Sequence, residues 1–251
     1  MEQGEVMEGE TTGRAERAIL VSQWTSANFD PQKTALHVYT ILLYMCVMHK
    51  RVIPVASALY QVAEEQQGYF TARQAVVVGY LPGSQAHHVK AGNWVRTGRG
   101  IYRLARFPQS AEEQLVIYSL WSRNRQGKSQ GVYSHQTALS IHELSDINPT
   151  KLHMTVPPTF RRSARVPAIL VLHHTALDSK DVEQRQGFRV TRPLRTIIDL
   201  AATELVSRDI IAQALAEGRN RGLITASEFA DWHHRVKHMG WFEKLFSEQG
   251  K

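Results

Sequence analysis

Between residues 55 and 104 the spacing of apolar side chains changes from helical to alternating. Residues 55–65 place Ala56, Leu59, Val62 and Ala63 on one face, the spacing of an amphipathic helix. Residues 72–78 do the same with Ala72, Ala75 and Val76. Thr71 stands before them as an N-cap, and Gly79 follows where left-handed backbone costs little. Tyr80-Leu81-Pro82-Gly83 supplies a turn, and Ser84 a second N-cap. Residues 85–91 then form a short helix with Ala86 and Val89 inward and Gln85, His87, His88 and Lys90 outward. After Gly92 the pattern alternates. Val95-Arg96-Thr97 and Ile101-Tyr102-Arg103 predict two strands joined by Gly98-Arg99-Gly100, with Val95, Ile101 and Leu104 on the apolar side. Two short helices and a basic hairpin spell a winged helix-turn-helix over residues 53–107.

The second region, residues 108–251, mixes both periods. Residues 111–123 read as an amphipathic helix, with Leu115, Tyr118 or Ser119, and Trp121-Ser122 near one stripe. After a loop over 126–131, Val132-Tyr133 leads through Ser134 into a helix over 136–144. Residues 152–156 alternate like a strand and stop at Pro157-Pro158. Residues 168–173 and 187–190 add two more strands. Pro193 opens a helix that buries Leu194, Ile197, Ile198 and Ala201, its missing amide harmless in the first turn. A helix over 208–221 follows, and Thr225-Ala226-Ser227-Glu228 has the form of a capping box before a last one. The fold class is therefore α+β, a winged helix-turn-helix followed by a mixed α/β region, with no internal repeat.

Charge sharpens the reading of the first region. The chain carries a formal charge of +7. Between residues 54 and 106 stand Arg73, Lys90, Arg96, Arg99, Arg103 and Arg106 against Glu64 and Glu65, so the basic residues gather in and after the motif. Such a surface points to a polyanion. In a winged helix, Gln85, His87, His88 and Lys90, with Ser84 at the helix start, face base edges and nearby phosphates. Arg96, Arg99 and Arg103 rest the wing on the backbone, and Thr71 and Arg73 add phosphate contacts. Double-stranded DNA is the expected ligand.

One cysteine, Cys46, excludes an intrachain disulfide and a thiolate metal cluster. The acidic N-terminus is the opposite of a signal peptide, and the apolar run 36–48 is too short to span a bilayer, so a cytoplasmic location is expected. Residues 1–52 are set apart as an extension whose first fourteen residues have the composition of a disordered tail. Residues 34–48 fit a helix or a buried strand. Two readings stay open for this part: the natural start lies at Met45 or Met48, or the segment is a genuine extra element on the winged helix.

Twelve histidines raise the question of a metal. The pairs His87-His88, His173-His174 and His233-His234 are neighbours whose side chains point apart, and His135 and His142, seven apart on one helix, lack a third ligand. Ser134-His135 is a poor nucleophile–base pair for the same reason of adjacency. A nuclease core needs an acid followed by Glu-x-Lys, whereas Glu183 is followed by Gln184-Arg185; Asp178 and Asp181 stand nearby, and Asp199 has Arg195 one turn away. No enzyme, metal or cofactor is expected. A nucleic-acid-processing enzyme targeted by a winged helix is the rival reading.

Ordered pieces of the chain resemble a known family. GYFTARQA opens the winged helix and GRGIYRL ends it; YSHQTALSIHELSD, KLHMTVPP and RVTRPLRTIIDLAA follow in that order. From about residue 59 to 223 the chain resembles the AbiEi-type antitoxins of bacterial type IV toxin–antitoxin systems. The resemblance implies a non-catalytic, cytoplasmic repressor-antitoxin. Its winged helix binds operator repeats in the promoter of its own operon, and its second region carries antitoxicity and assists DNA binding. The implied functional partner is an AbiEii-like nucleotidyltransferase toxin. Residues before about 50 match nothing in that pattern, and His87-His88 prevents the operator sequence from being carried over.

Overall fold

A computed structural model describes residues 54–163, 165–236 and 240–249. The readings made for residues 1–52 lie outside them, and those for the side chains of His233 and His234 lie outside the described side chains.

Helix α1 (Val55–Glu64) buries Leu59 and Ala63. Strand β1 (Tyr69–Thr71) follows, then α2 (Ala72–Val77), α3 (Gln85–Lys90), β2 (Trp94–Gly98) and β3 (Ile101–Leu104). The strands form a sheet of order β1-β3-β2, antiparallel throughout. The winged helix-turn-helix is thus present, with β1 added. That strand is buried at all three positions, so it has no alternation to read.

Phe70, Trp94 and Tyr102 share a core with Leu59, Ala63 and Ala75. Phe70 meets Trp94 edge-on at 4.9 Å between ring centres, a geometry worth about 0.5–1.5 kcal/mol beyond the area buried. Two expected faces are rotated. Ala56 and Val76 are exposed, and Ala72 and Val78 pack on the core beside Ala75. On α3, Ala86 is exposed and Val89 is half-buried.

The other face of this sheet is also covered. Tyr69 stands opposite Arg103 across β1 and β3, and Tyr69 and Ile101 share a core with Val116 and Leu120 of α4 (Glu113–Trp121). The buried residues of α4 are Val116, Ser119 and Leu120, with Ser122 buried just beyond it; of the expected stripe Ser119 and Ser122 are buried, and Leu115, Tyr118 and Trp121 only partly. Polar bonds lock the seam. Tyr69 donates its hydroxyl proton to Glu113 at 2.8 Å; burial and that carboxylate push the phenol up to about 12. Gln67 Nε2 donates to Glu112 and to the Gln186 carbonyl, and Gln186 returns a bond to the Glu64 carbonyl. Gly68 has φ +88, and a Cβ there would lie 2.5 Å from the Phe107 ring, so the turn into β1 admits no side chain. The described winged helix and the region after it form one compact unit.

That region is built on β4 (Val132–Tyr133), β5 (Leu152–Val156), β6 (Leu170–His174), β7 (Val182–Arg185) and β8 (Phe188–Thr191), in the order β6-β5-β4-β8-β7. The pairs β4–β8 and β5–β6 are parallel, the other two antiparallel. Met154 and Val156 enter the core under α4. His153 and Thr155 alternate to the opposite face and meet α5 (His135–Ile141), where the Thr137 hydroxyl accepts the His153 amide at 2.8 Å. A second apolar core joins α5 to α6 (Pro193–Thr203), α7 (Arg208–Asn220), α8 (Ala226–Val236) and α9 (Trp241–Gln249). Pro193 sits in the first turn of α6, and Leu194, Ile197, Ile198 and Ala201 are buried. The capping box at Thr225 and Glu228 forms in both directions, at 3.0 and 3.2 Å.

Candidate nucleic-acid interface

The helix-turn-helix begins with a closed capping box. The Thr71 hydroxyl accepts from the Gln74 amide at 3.2 Å, and Gln74 Oε1 accepts from the Thr71 amide at 2.9 Å. That commits Thr71, which is 2% exposed. The expected phosphate contact from its side chain is corrected to a structural cap. Arg73, on the exposed side of the same turn, donates from Nη1 to the carbonyl of Arg125. Ser84 does not cap α3. Its backbone is already helical (φ −69, ψ −7), and its hydroxyl donates back to the Leu81 carbonyl at 2.8 Å.

Helix α3 buries none of its residues fully. Gln85 is half-exposed, and His87 and Lys90 are open. His88 differs from its neighbour. Its ring stacks on Trp94 at 4.4 Å and meets Tyr80 edge-on at 5.0 Å, so the expectation that it faces outward is corrected. His88 turns inward on α3, whereas Ala86, expected there, is exposed.

The wing places Arg96 and Arg99 in solvent, with Gly100 at φ +70 closing the hairpin. Among the described residues neither forms an ion pair. Arg103 is the third arginine of the expected set and lies elsewhere. It is 8% exposed, on the sheet face toward α4, and its Nη1 donates to the Phe107 carbonyl at 2.5 Å and more loosely to Leu104. Its expected backbone contact is therefore corrected to a buried brace. Val95, expected on the apolar side, is 40% exposed. What remains on the outer surface is Gln85, His87, Lys90, Arg96 and Arg99, with Arg73 and Arg106 beside them.

Residues 57–105 match the family model described as transcriptional regulator, AbiEi antitoxin. The likeness to the AbiEi antitoxin regulators therefore rests on the winged helix. The match ends at the wing, and no curated protein matches the chain. Among solved structures, the crystal structure of the RV2827C protein from Mycobacterium tuberculosis is similar at 13% identity, with a TM-score of 0.40. It covers 79% of this chain and 81% of that one, a likeness too weak to carry an argument.

The region after the wing bears on the rival, catalytic reading. Asp181 pairs with Arg195 at 3.0 Å and Glu183 with Arg185 at 2.7 Å, while Asp199 holds the other side of Arg195 at 2.8 Å. These acids serve ion pairs, and among the described residues no His, Cys, Asp and Glu group is arranged to hold a metal ion. One expectation is overturned. Ser134 and His135 do meet, at 2.9 Å between Oγ and Nδ1, because Ser134 is extended and His135 is left-handed at φ 52. The serine is fully buried and also accepts from Thr155, at 2.8 Å. His142, at the far end of α5, turns away from His135 to the Thr191 carbonyl at 2.8 Å.

Sequence reasoning missed a histidine layer behind that serine. His135 stacks on His173 at 3.7 Å, and His153 Nδ1 lies 3.0 Å from His173 Nε2. Burial, followed by repulsion from the other two rings, lowers His135 to about 3; burial first lowers His153 to about 4. Stacked rings direct their in-plane lone pairs side by side rather than at one point, which suits neutral packing and not a metal. No helix among the described residues is long and apolar enough to cross a membrane.

Proposed function

We propose that the chain is a type IV antitoxin and DNA-binding repressor. On this reading it represses its own operon and counteracts an AbiEii-like nucleotidyltransferase toxin in the cytoplasm. The observation that carries it is the outward face of the matched winged helix, with a short helix presenting Gln85, His87 and Lys90 beside a hairpin presenting Arg96 and Arg99. The helix side chains offer donors to base edges in the major groove, and the two arginines neutralise backbone phosphates. Arg73, at the start of α2, takes a flanking phosphate. Residues 53–107 carry the DNA contact, and residues 108–251 carry antitoxicity.

Mobility shifts with the DNA upstream of the gene, against a scrambled duplex, test the first half. Preference for the upstream DNA that rises and falls with substitutions at Gln85 and His87 supports it; equal binding to both duplexes overturns it. Growth rescue during expression of the neighbouring toxin gene tests the second. The full chain carrying Arg96→Ala and Arg99→Ala, driven from an unrelated promoter, should still rescue while losing DNA affinity. Loss of rescue would show that antitoxicity runs through DNA.

A further inference from the structure

A second concentration of charge lies behind the helix-turn-helix, where the start of α2 meets the loop over residues 122–131. A cavity of about 600 Å³ opens there, lined by Arg73, Arg123, Lys128 and Arg189 together with Val77 and Val78, and Glu65 is the acid in its wall. Its three arginines are tied to backbone carbonyls rather than to carboxylates. Arg123 Nε donates to Leu120 at 2.5 Å, Arg189 Nη2 to Ser129 at 2.6 Å, and Arg73 to Arg125. Arg162 closes on the same spot, donating to the Arg123 carbonyl at 2.9 Å. Among the described residues none of them forms an ion pair.

The Arg123 guanidinium is half-buried and is pushed down to about 10 by burial and then by the positive charges of Arg162 and Arg73. Holding like charges together costs free energy that a bound anion recovers, and planar guanidiniums match the oxygens of a phosphate in pairs. Both terminal nitrogens of Arg123 lack a protein acceptor among the described residues. The lining is not only basic. Val77 is 77% exposed within it, an apolar surface that no phosphate would cover.

We propose that this cleft binds a nucleotide, its phosphates on Arg73, Arg123, Lys128 and Arg189 and its base against Val77 and Val78. The volume suits a small ligand of mixed polarity. A DNA backbone would satisfy the cations and leave the apolar wall bare, so the free nucleotide fits better. Apart from Arg73, which the DNA reading uses for a flanking phosphate, this site is separate from the DNA-binding surface on α3 and the wing, and it does not rest on that reading.

Calorimetric titration of the full chain with ATP, GTP and inorganic tripolyphosphate tests the proposal. At least one nucleotide should bind saturably, and more tightly than tripolyphosphate. Arg123→Gln should weaken it roughly tenfold or more, the loss of one charge-assisted bond. Lys128→Gln should weaken it as well; that side chain is exposed and its loss leaves the fold intact, which a thermal melt verifies. Val77→Ser should weaken the nucleotide and leave tripolyphosphate unchanged. Absence of saturable nucleotide binding to the wild type overturns the proposal, as does unchanged binding in both charge variants. Weakened DNA binding in those variants without nucleotide binding also overturns it and assigns the cations to the DNA backbone.

Discussion

Single alanine substitutions at Arg96, Arg99 and Arg103 should separate two kinds of arginine that look alike along the hairpin. Each phosphate contact on a duplex adds about 0.9 to the slope of log affinity against log salt, so a fourfold rise in salt costs about 3.5-fold per contact. Arg96→Ala and Arg99→Ala should each flatten the slope by about that amount and weaken binding to all sequences equally, at unchanged stability. Arg103→Ala should act on the fold. It removes a cation that is 8% exposed and leaves the Phe107 carbonyl without its 2.5 Å donor. Losing a buried charge-assisted bond costs about 1.5–3 kcal/mol. In a unit of this size that lowers Tm by about 3–12 °C. The assays are a mobility-shift series across salt and a thermal melt of each variant. An Arg103→Ala protein that melts like the wild type with a flattened salt slope would refute the brace and return Arg103 to the wing surface. Loss of sequence preference in Arg99→Ala at unchanged slope would refute the phosphate contact.

Four further outcomes follow from the same structure. Because burial holds His135 at about 3 and His153 at about 4, the unfolded chain binds more protons below about pH 6.5, so stability is complete above that and falls toward pH 4. At pH 5 His135 alone should cost about 2 kcal/mol, seen as a drop in denaturant midpoint that His135→Asn reduces; a midpoint independent of pH between 7 and 5 would remove the layer as the cause. Gly131→Ala places a Cβ 2.0 Å from the Met154 sulfur in a buried position and should destabilise by about 1–3 kcal/mol, measured by urea melts; an unchanged melt would show that Met154 can move away. His88→Ala should lower Tm through the lost stack on Trp94, while His87→Ala leaves Tm alone and alters DNA sequence preference; the reverse pattern would exchange their roles. Gln74→Ala opens the capping box and should cost about 0.5–2 kcal/mol in the same melts, and no loss would mean that Thr71 caps α2 alone.

The winged helix was legible because its signals are local. Thr71, Gly79, Gly98 and Gly100 act within a turn of where they stand, and a period of two or of 3.6 needs only a few residues to show itself. The second region yielded its strands at Val132, Leu152 and Leu170 for the same reason. Strand β7 was lost because Val182-Glu183-Gln184-Arg185 is an edge strand with one apolar residue, and the sheet pairing that orders it lies in β8. The misreading of the wing has one physical cause. Alternation separates the two faces of a strand and does not say what covers each face. Arg103 alternates with Tyr102 as a solvent-facing residue would, yet α4, beginning ten residues later, closes over that face.

The histidine layer shows the same limit at longer range. His135, His153 and His173 lie on three elements, and a reading along the chain weighs only neighbours of His135 and His173 and never reaches His153. They meet because β5 and β6 are parallel, which sets Thr155 against His173 and brings His153 within one diagonal step. His135 joins them only through its left-handed backbone at the start of α5. A non-glycine residue in that region bears strain that the surrounding contacts must offset. Here those contacts are the Ser134 hydroxyl and the stacked His173 ring. The layer therefore couples the edge strand β6 to the start of α5, and protonation of either ring works against that joint before it reaches the apolar cores. In this protein the polar face of the larger sheet is where acid should first be felt.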